Sequence, residues 1–144
     1  MNSNEYQLPD ALRRLTNAGY KFKPGEVTEW LDCGNKDVTV DTNSRMLELI
    51  EGEELISASA KIENSIVIPP CYIGKNVVLK NAIVGPHVSV GDNTTVTKSV
   101  VSRSIIQTAT HIENKVIHNS MIGNSVTLQG KAEDLSIGDY TVTK

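Results

Sequence analysis

The chain has 144 residues, of which 22% are charged, and its formal net charge is −3 at pH 7. This length fits one domain, or one domain with an appendage. There is no basic run, no apolar stretch of membrane-spanning length and no apolar leader region. We therefore expect neither nucleic acid nor a membrane as a partner, and a cytoplasmic location. Cys33 and Cys71 lack metal or redox spacing, which is consistent with a reducing compartment.

The first 55 residues are acidic, with 11 acidic and 6 basic side chains, whereas residues 56–144 carry 6 acidic and 8 basic ones. A first helix is predicted around an apolar face of Leu8, Leu12 and Leu15. Pro9 suits its first turn, and Gly19 suits its end.

A strand is predicted from Glu26 to Asp32, ending in a turn at residues 33–35. A second helix is predicted from about Lys36 to Glu51, with Val40, Leu47 and Ile50 facing inward. Helix, strand and helix cannot close a core alone, because a single strand leaves both of its edges unpaired.

From residue 62 onward, aliphatic residues recur at steps of five or six. They are Ile62, Val67, Ile73, Leu79, Val84, Val90, Val96, Val101, Ile106, Ile112, Ile117, Ile122 and Leu128. Helices repeat at 3.6 residues and strands at 2, so this spacing indicates a coil with flat sides and corners. A β-sandwich of short strands is the weaker alternative, because it does not explain the regular spacing.

Three steps of this ladder make one coil, and the coils contain 17, 17, 16 and 16 residues. The chain is thus predicted to form a triangular prism of parallel strands with about four coils. The positions two residues before each ladder residue are small or β-branched, which suits a narrow tube. Lys115 is the exception, and it either reaches out of a corner or contacts an anion at that end of the prism.

Two further columns run along the predicted prism. Gly74, Gly91 and Gly123 each follow a third-column ladder residue, where glycine would permit unusual dihedral angles at a corner. Asn64, Asn81 and Asn114 form another column, interrupted by Lys98, and stacked asparagines can hydrogen-bond along the axis. After a polar loop at residues 130–134, Ile137 to Asp139 predicts a further third-column segment, and residues 140–144 a last strand.

Three runs carry a family resemblance: residues 73–77 (IGKNV), 90–94 (VGDNT) and 122–126 (IGNSV). They resemble the hexapeptide repeats of left-handed β-helix proteins. The expected fold class is therefore mainly β, a left-handed parallel β-helix over residues 56–144 that follows a short α/β segment. Left-handed coiling is implied by the resemblance alone.

The segment before the repeats is similar to the final part of sugar-1-phosphate nucleotidyltransferases. The resemblance rests on residues 5–12 (EYQLPDAL), 30–34 (WLDCG) and 43–47 (NSRML). The segment resembles in particular the long form of glucose-1-phosphate thymidylyltransferase, whose catalytic domain precedes a left-handed β-helix. Residues 1–55 are accordingly interpreted as a remnant of the catalytic domain.

In that family an aspartate at the position of Asp32 helps to hold the catalytic Mg²⁺. One carboxylate does not make a site, and the family's glycine-rich loop, second aspartate and sugar-phosphate lysine have no counterpart in these residues. We therefore expect Asp32 to be a surface turn residue, with no cofactor bound by this chain. Whether the chain is an enzyme is left open at this point.

Two functions are considered. The first is structural: a homo-oligomerising part of an enzyme that joins a nucleoside triphosphate and a sugar 1-phosphate, with release of pyrophosphate. The alternative is a CoA-dependent hexapeptide acyltransferase, for which His87 is the best candidate base. His87, His111 and His118 are all expected to face outward.

Overall fold

The computed structural model describes residues 7–143. Glu5 and Tyr6, which contribute to the resemblance above, lie outside these residues, as does Lys144 in the predicted last strand. The chain forms two compact units that divide between Trp30 and Leu31. The assignment of residues 1–55 to a catalytic-domain remnant stays a prediction.

The first unit contains helix α1, Leu8–Asn17, with Pro9 in its first turn. Gly19 lies just beyond its end at φ +91°, as the sequence predicted, because few other residues adopt this conformation without strain. No residue of α1 is buried. The predicted strand from Glu26 to Asp32 does not form. An isolated extended segment has no neighbouring strand to satisfy its backbone groups.

The second unit begins with helix α2, Lys36–Leu49, close to the predicted bounds. Asn35 caps it, since its side chain accepts a hydrogen bond from the Val38 N–H at 3.1 Å. Among the described residues, neither helix is long and apolar enough to cross a membrane.

A parallel β-helix of about four coils follows, which confirms the predicted fold class. Its strands are β1 (Lys61–Glu63), β2 (Ile66–Val67), β3 (Cys71–Ile73), β4 (Val78–Lys80), β5 (Ile83–Val84), β6 (Val88–Val90), β7 (Thr95–Thr97), β8 (Val100–Ile106), β9 (His111–Glu113), β10 (Val116–Ile122) and β11 (Thr127–Gln129).

The prism has three faces. The first face contains β1, β4, β7, β9 and β11 in that order. The second face contains β2, β5 and the first halves of β8 and β10, and the third contains β3, β6 and their second halves. Every pairing is parallel, and the register agrees with the predicted ladder: Ile62 pairs with Leu79, then Val96, Ile112 and Leu128.

The aliphatic ladder is the core of the prism. All ten ladder residues from Ile73 to Ile122 are buried, while Val67 and Leu128 are half-buried and pack against them. Ile62, at the start of the first coil, is 41% exposed. The ladder is therefore confirmed, with its ends less covered because no complete coil lies beyond them.

The small residues of the second ladder form hydrogen bonds that the spacing did not reveal. Ser65 Oγ accepts the Ala82 N–H, Ser99 Oγ accepts that of Lys115, and Ser104 Oγ accepts that of Ser120, each at 3.0–3.1 Å. Each hydroxyl thus satisfies a backbone donor in the next coil, which explains why serine and threonine occupy this narrow interior.

The corners of the prism are built by residues with positive φ. They fall into three columns: Asn64, Asn81, Lys98 and Asn114 at the first corner; His87, Arg103 and Asn119 at the second; Asn76, Asn93, Ala109 and Ser125 at the third. The predicted hydrogen bonding between stacked asparagines is confirmed where Asn64 Nδ2 donates to Asn81 Oδ1 at 2.6 Å.

The prediction that the glycine column supplies these dihedral angles is wrong, since Gly74, Gly91 and Gly123 do not have positive φ. Gly74 is required by space instead, because a Cβ there would lie 2.9 Å from the Asp92 backbone nitrogen in the next coil. A Cβ on Gly91 would lie 2.8 Å from the Gln107 backbone. In the last coil, a Cβ on Gly123 would meet no comparable neighbour.

The predicted extension after residue 130 is also wrong. Residues 130–143 form no strand, and Ile137 is 50% exposed. Continuing the spacing from Leu128 would place Glu133 or Asp134 in the interior, where an unpaired charge is too costly to bury.

The inward register can be tested with one pair of substitutions. Val96→Asp places a charge among fully buried neighbours and should prevent folding. Lys98→Asp changes an exposed corner residue at φ +47°, a conformation that aspartate tolerates, and should alter the melting temperature little. Circular dichroism melts provide the measurement, and equal losses at both positions would contradict the register.

Candidate functional site

Helix α2 lies on the outside of the β-helix, where it packs against β6, β8 and β10. Val40, Ser44 and Leu47 are its buried residues. Ser89 Oγ, on the third face, donates a hydrogen bond to Asn43 Oδ1 at 2.6 Å. The helix therefore covers part of the third face with the apolar side that the sequence predicted to face inward.

Polar side chains of α2 contact all three residues of the second corner. Asp37 Oδ1 accepts a hydrogen bond from Asn119 Nδ2 at 2.9 Å, and Lys36 Nζ donates to the Asn119 carbonyl oxygen at 3.0 Å. The other two residues of the second corner each pair with an acidic residue of α2. Arg103 pairs with Asp41, and His87 pairs with Glu48. We call these contacts of α2 with the three corner residues the corner clasp.

The electrostatics of the clasp are most evident at Asp37. Its hydrogen bond from Lys36, and then that from Asn119, lower the pKa of the carboxyl below the ordinary value of 3.8. Asp37 therefore stabilises the folded chain above that pH, and its contribution is lost as the pH falls through the lowered pKa. The effect on docking is small, because the first cause lies within α2 itself and the carboxyl is exposed.

His87, the candidate base, is one of the corner residues that α2 contacts in the clasp. Its Nε2 lies 3.1 Å from Glu48 Oε1, and its side chain is 28% exposed. His111 and His118 are exposed, and His118 Nδ1 lies 2.9 Å from Ser102 Oγ. The structure therefore does not bring the three histidines into one site, and acyl transfer stays a prediction.

Asp32 lies in the turn before α2 and is exposed. Its Oδ1 accepts a hydrogen bond from the Cys33 N–H at 2.7 Å. Mg²⁺ in a phosphate-transfer site is held by carboxylates together with substrate phosphates. No group of three acidic, histidine or cysteine side chains in residues 7–143 could hold a metal ion, so this turn does not fit a magnesium site by itself.

Lys115, the exception in the small ladder, is half-buried in the last full coil. Its backbone N–H donates a hydrogen bond to Ser99 Oγ at 3.1 Å. This bond does not depend on the lysine side chain, so a small residue at this position would form it as well.

The second face carries an outward column of aliphatic side chains that the sequence reading missed. Its members are Ile66, Ile83, Val100 and Val116, paired in register along the face. They are 59%, 39%, 39% and 84% exposed. We call this column the aliphatic stripe. Its signal in the sequence is that each member immediately precedes a second-column ladder residue.

The second face is also free of acidic, lysine and arginine side chains. Its other outward positions are Ile68, Gly85, Ser102 and His118. The first face contrasts with it, because its outward residues include Lys61, Glu63, Lys80 and Glu113. Depletion of charge at the centre of a surface patch is characteristic of protein–protein interfaces.

Apolar residues of the two helices are a second expected surface for self-association, and Leu8, Leu12 and Leu15 of α1 are exposed. Leu47 is instead buried by the docking of α2 on the prism, and Ile50 is half-buried. Among the described residues of the second unit, the stripe is a continuous exposed column of aliphatic side chains, whereas other exposed apolar residues, such as Leu49 and Met121, lie elsewhere.

Comparison with known proteins agrees with the observed fold. Residues 44–100, about two fifths of the chain, match the family described as GlmU-like, C-terminal hexapeptide. No curated protein and no solved structure matches the chain significantly. The chain therefore contains a hexapeptide-repeat β-helix, and the match extends from the second half of α2 to the start of β8.

The docking of α2 predicts unequal effects for two neighbouring leucines. Leu47→Ala removes a side chain that is only 3% exposed and should destabilise the docked helix by about 2–5 kcal/mol. Leu49→Ala, at a position that is 52% exposed, is the matched control and should cost under about 1 kcal/mol. Chemical denaturation measures both, and similar values would contradict the docking.

Proposed function

We propose that this chain is the oligomerisation part of a sugar-1-phosphate nucleotidyltransferase, and that its own activity is self-association through the second face. The aliphatic stripe is the observation that carries this proposal. The match to a GlmU-like C-terminal hexapeptide family and the resemblance of residues 30–34 to the end of a nucleotidyltransferase catalytic domain support the parent enzyme.

A second copy of the chain is the partner that this surface suits best. Its apolar side chains stand one coil apart, about 4.8 Å, so the stripe of one copy can pack between the side chains of another. No charge on the face has to be desolvated when two copies meet, which removes the largest cost of burying a polar surface.

The other faces are less suited to this contact. The first face would bring lysine and glutamate side chains out of water, and α2 already covers part of the third face. Burial of apolar surface contributes about 25 cal/mol per Å², so the uncharged face gains most per unit of area.

The parent reaction would join a nucleoside triphosphate to a sugar 1-phosphate and release pyrophosphate. Mg²⁺ would supply charge neutralisation between the phosphates in the parent enzyme. The sequence contains no glycine-rich phosphate-binding run of the G-x-G or P-loop type. We therefore propose that catalysis belongs to residues other than these, and that the present chain assembles the enzyme.

Val100→Lys tests the self-association. Val100 lies within the stripe, and an unpaired ammonium there would lose its hydration when two copies meet. The variant should remain folded, because the side chain points out of the prism, and should associate at least about tenfold more weakly, corresponding to about 1.4 kcal/mol. Sedimentation velocity over a concentration series measures the change.

Thr97→Lys is the matched control, because Thr97 is an outward residue of β7 on the first face. It adds the same charge to the same prism and should leave association unchanged. A wild-type chain that stays monomeric at all concentrations, or equal weakening by both lysines, would overturn the proposed role of the second face.

A separate assay tests whether the chain alone catalyses the parent reaction. The pure chain with glucose 1-phosphate, dTTP and Mg²⁺ should release no pyrophosphate above background, and Asp32→Asn should change nothing. Turnover that disappears in Asp32→Asn would contradict the assignment of this chain to assembly and would place a complete catalytic site within it.

A further inference from the structure

A pocket of about 400 Å³ opens at the end of the prism where the coil begins. Leu55, Ile56 and Ser57 already pair along β3: the Ile73 N–H donates to the Leu55 carbonyl oxygen, and the Ser57 N–H donates to that of Ile73, both at 2.8 Å. Among the described residues, no strand precedes β2 on the second face. The interior is therefore open beside Val67.

The floor of this pocket is apolar. Leu55, Val67 and Cys71 contribute to its lining, together with the neighbouring prolines. Cys71 is buried, and its thiol donates to the Ile68 carbonyl oxygen at 3.0 Å, so its polar group already has a partner. The volume lies within the 300–1,000 Å³ that is typical of small-molecule sites, and such sites combine an apolar lining with a few polar groups.

The mouth of the pocket is acidic. Glu51, Glu53 and Glu54 line it and are exposed. Within residues 7–143, none of these three carboxylates forms an ion pair with a lysine, arginine or histidine. They are also not grouped with other ligands in a way that could hold a metal ion.

This combination specifies the chemistry of an occupant. An aliphatic body would displace water from the floor, and a positive head at the mouth would meet three carboxylates that lack a counter-charge. A carboxylate or phosphate ligand would be repelled there. Because these glutamates form no group that could hold a metal ion, which needs several ligands at one point, the mouth suits an organic cation better.

We propose that this pocket binds a primary ammonium group carried on an aliphatic body, as in an alkylamine or an exposed lysine flanked by apolar residues. The proposal is independent of the self-association, because the pocket lies at the end of the prism and the aliphatic stripe lies along its side.

Three probes with the same apolar body test the role of charge: octylammonium, 1-octanol and octanoate. Binding is followed by the NMR signals of the Leu55 and Val67 methyl groups, with Val116 and Val142 as references. Octylammonium should bind at least about fivefold more tightly than 1-octanol, and octanoate should not bind. A capped Leu-Lys-Leu peptide that shifts the same methyl groups would indicate a protein side chain as the natural source, and a failure of this peptide alone would indicate a small amine.

Substitution of two glutamates at the pocket mouth completes the test. Glu53→Gln together with Glu54→Gln should reduce octylammonium binding to the level of 1-octanol and leave 1-octanol binding unchanged. Glu63→Gln together with Glu133→Gln removes the same charge at exposed positions outside the lining and should have no effect. Both double variants remain informative if their melting temperatures match that of the wild type.

Three outcomes would overturn the proposal. They are equal binding of the ammonium and the alcohol, equal weakening by both double variants, and shifts of the Val116 methyl groups as large as those of Val67. The last outcome would show that the probe coats apolar surface in general. None of them bears on the oligomeric state, and loss of association in Val100→Lys does not bear on the pocket.

Discussion

The narrow interior of the prism is the constraint on which the rest of the structure depends. Successive coils stack about 4.8 Å apart, and each must bring three aliphatic side chains to the axis within 16 or 17 residues. Such a short coil turns at three corners, and apart from Lys115 it has small or β-branched residues two positions before each ladder residue. Conformational freedom at Asn64 and Asn81, and the absence of a Cβ at Gly74, are therefore conditions for stacking rather than local details.

The corner columns also explain how α2 can dock. Corner residues repeat once per coil, about 4.8 Å along the axis, and four helical residues advance about 6 Å. Asp37 and Asp41 thus stand at nearly the spacing of Asn119 and Arg103. Seven residues, about 10.5 Å, separate Asp41 from Glu48, so the third contact spans a larger offset. A long glutamate and an imidazole ring together can bridge it, whereas two short side chains could not.

Much of the fold could be predicted because the ladder is a local property of the sequence. Every registered pair from Ile62 to Leu128 follows from counting residues, since each coil contacts only its neighbours. The strand predicted at residues 26–32 does not form, because an extended segment needs a neighbouring strand to pair with. The sequence of the segment itself does not show whether such a neighbour is present. The extension predicted after residue 130 does not form. That prediction rested on the pattern at Ile137 and did not weigh the charges of Glu133 and Asp134.

The candidate surfaces were harder to predict, because they depend on which outward positions remain uncovered. The stripe is present in the sequence as four aliphatic residues that each precede a ladder residue, but an outward aliphatic residue is informative only once its neighbours are known. The clasp is less visible still, since Asp41 and Arg103 are 62 residues apart. The position of Glu53 and Glu54 at a pocket mouth is not visible in the sequence either, because it depends on the open first coil beside them.

The position of α2 bears on how copies of the chain would assemble. A single self-complementary patch on a rigid prism gives an assembly that closes, whereas two separate apolar patches allow growth into open chains. By covering part of the third face, α2 reduces the uncharged surface there, where Tyr72 and Met121 remain exposed. In the proposed assembly, the clasp would therefore do more than stabilise the fold: by holding α2 against the corner, it would limit contact between copies through the third face. The acidic side chains of α2 suit this task, because their partners at the corner are set by the same coil spacing that aligns the stripe, so helix and stripe stay in a fixed relation along the axis.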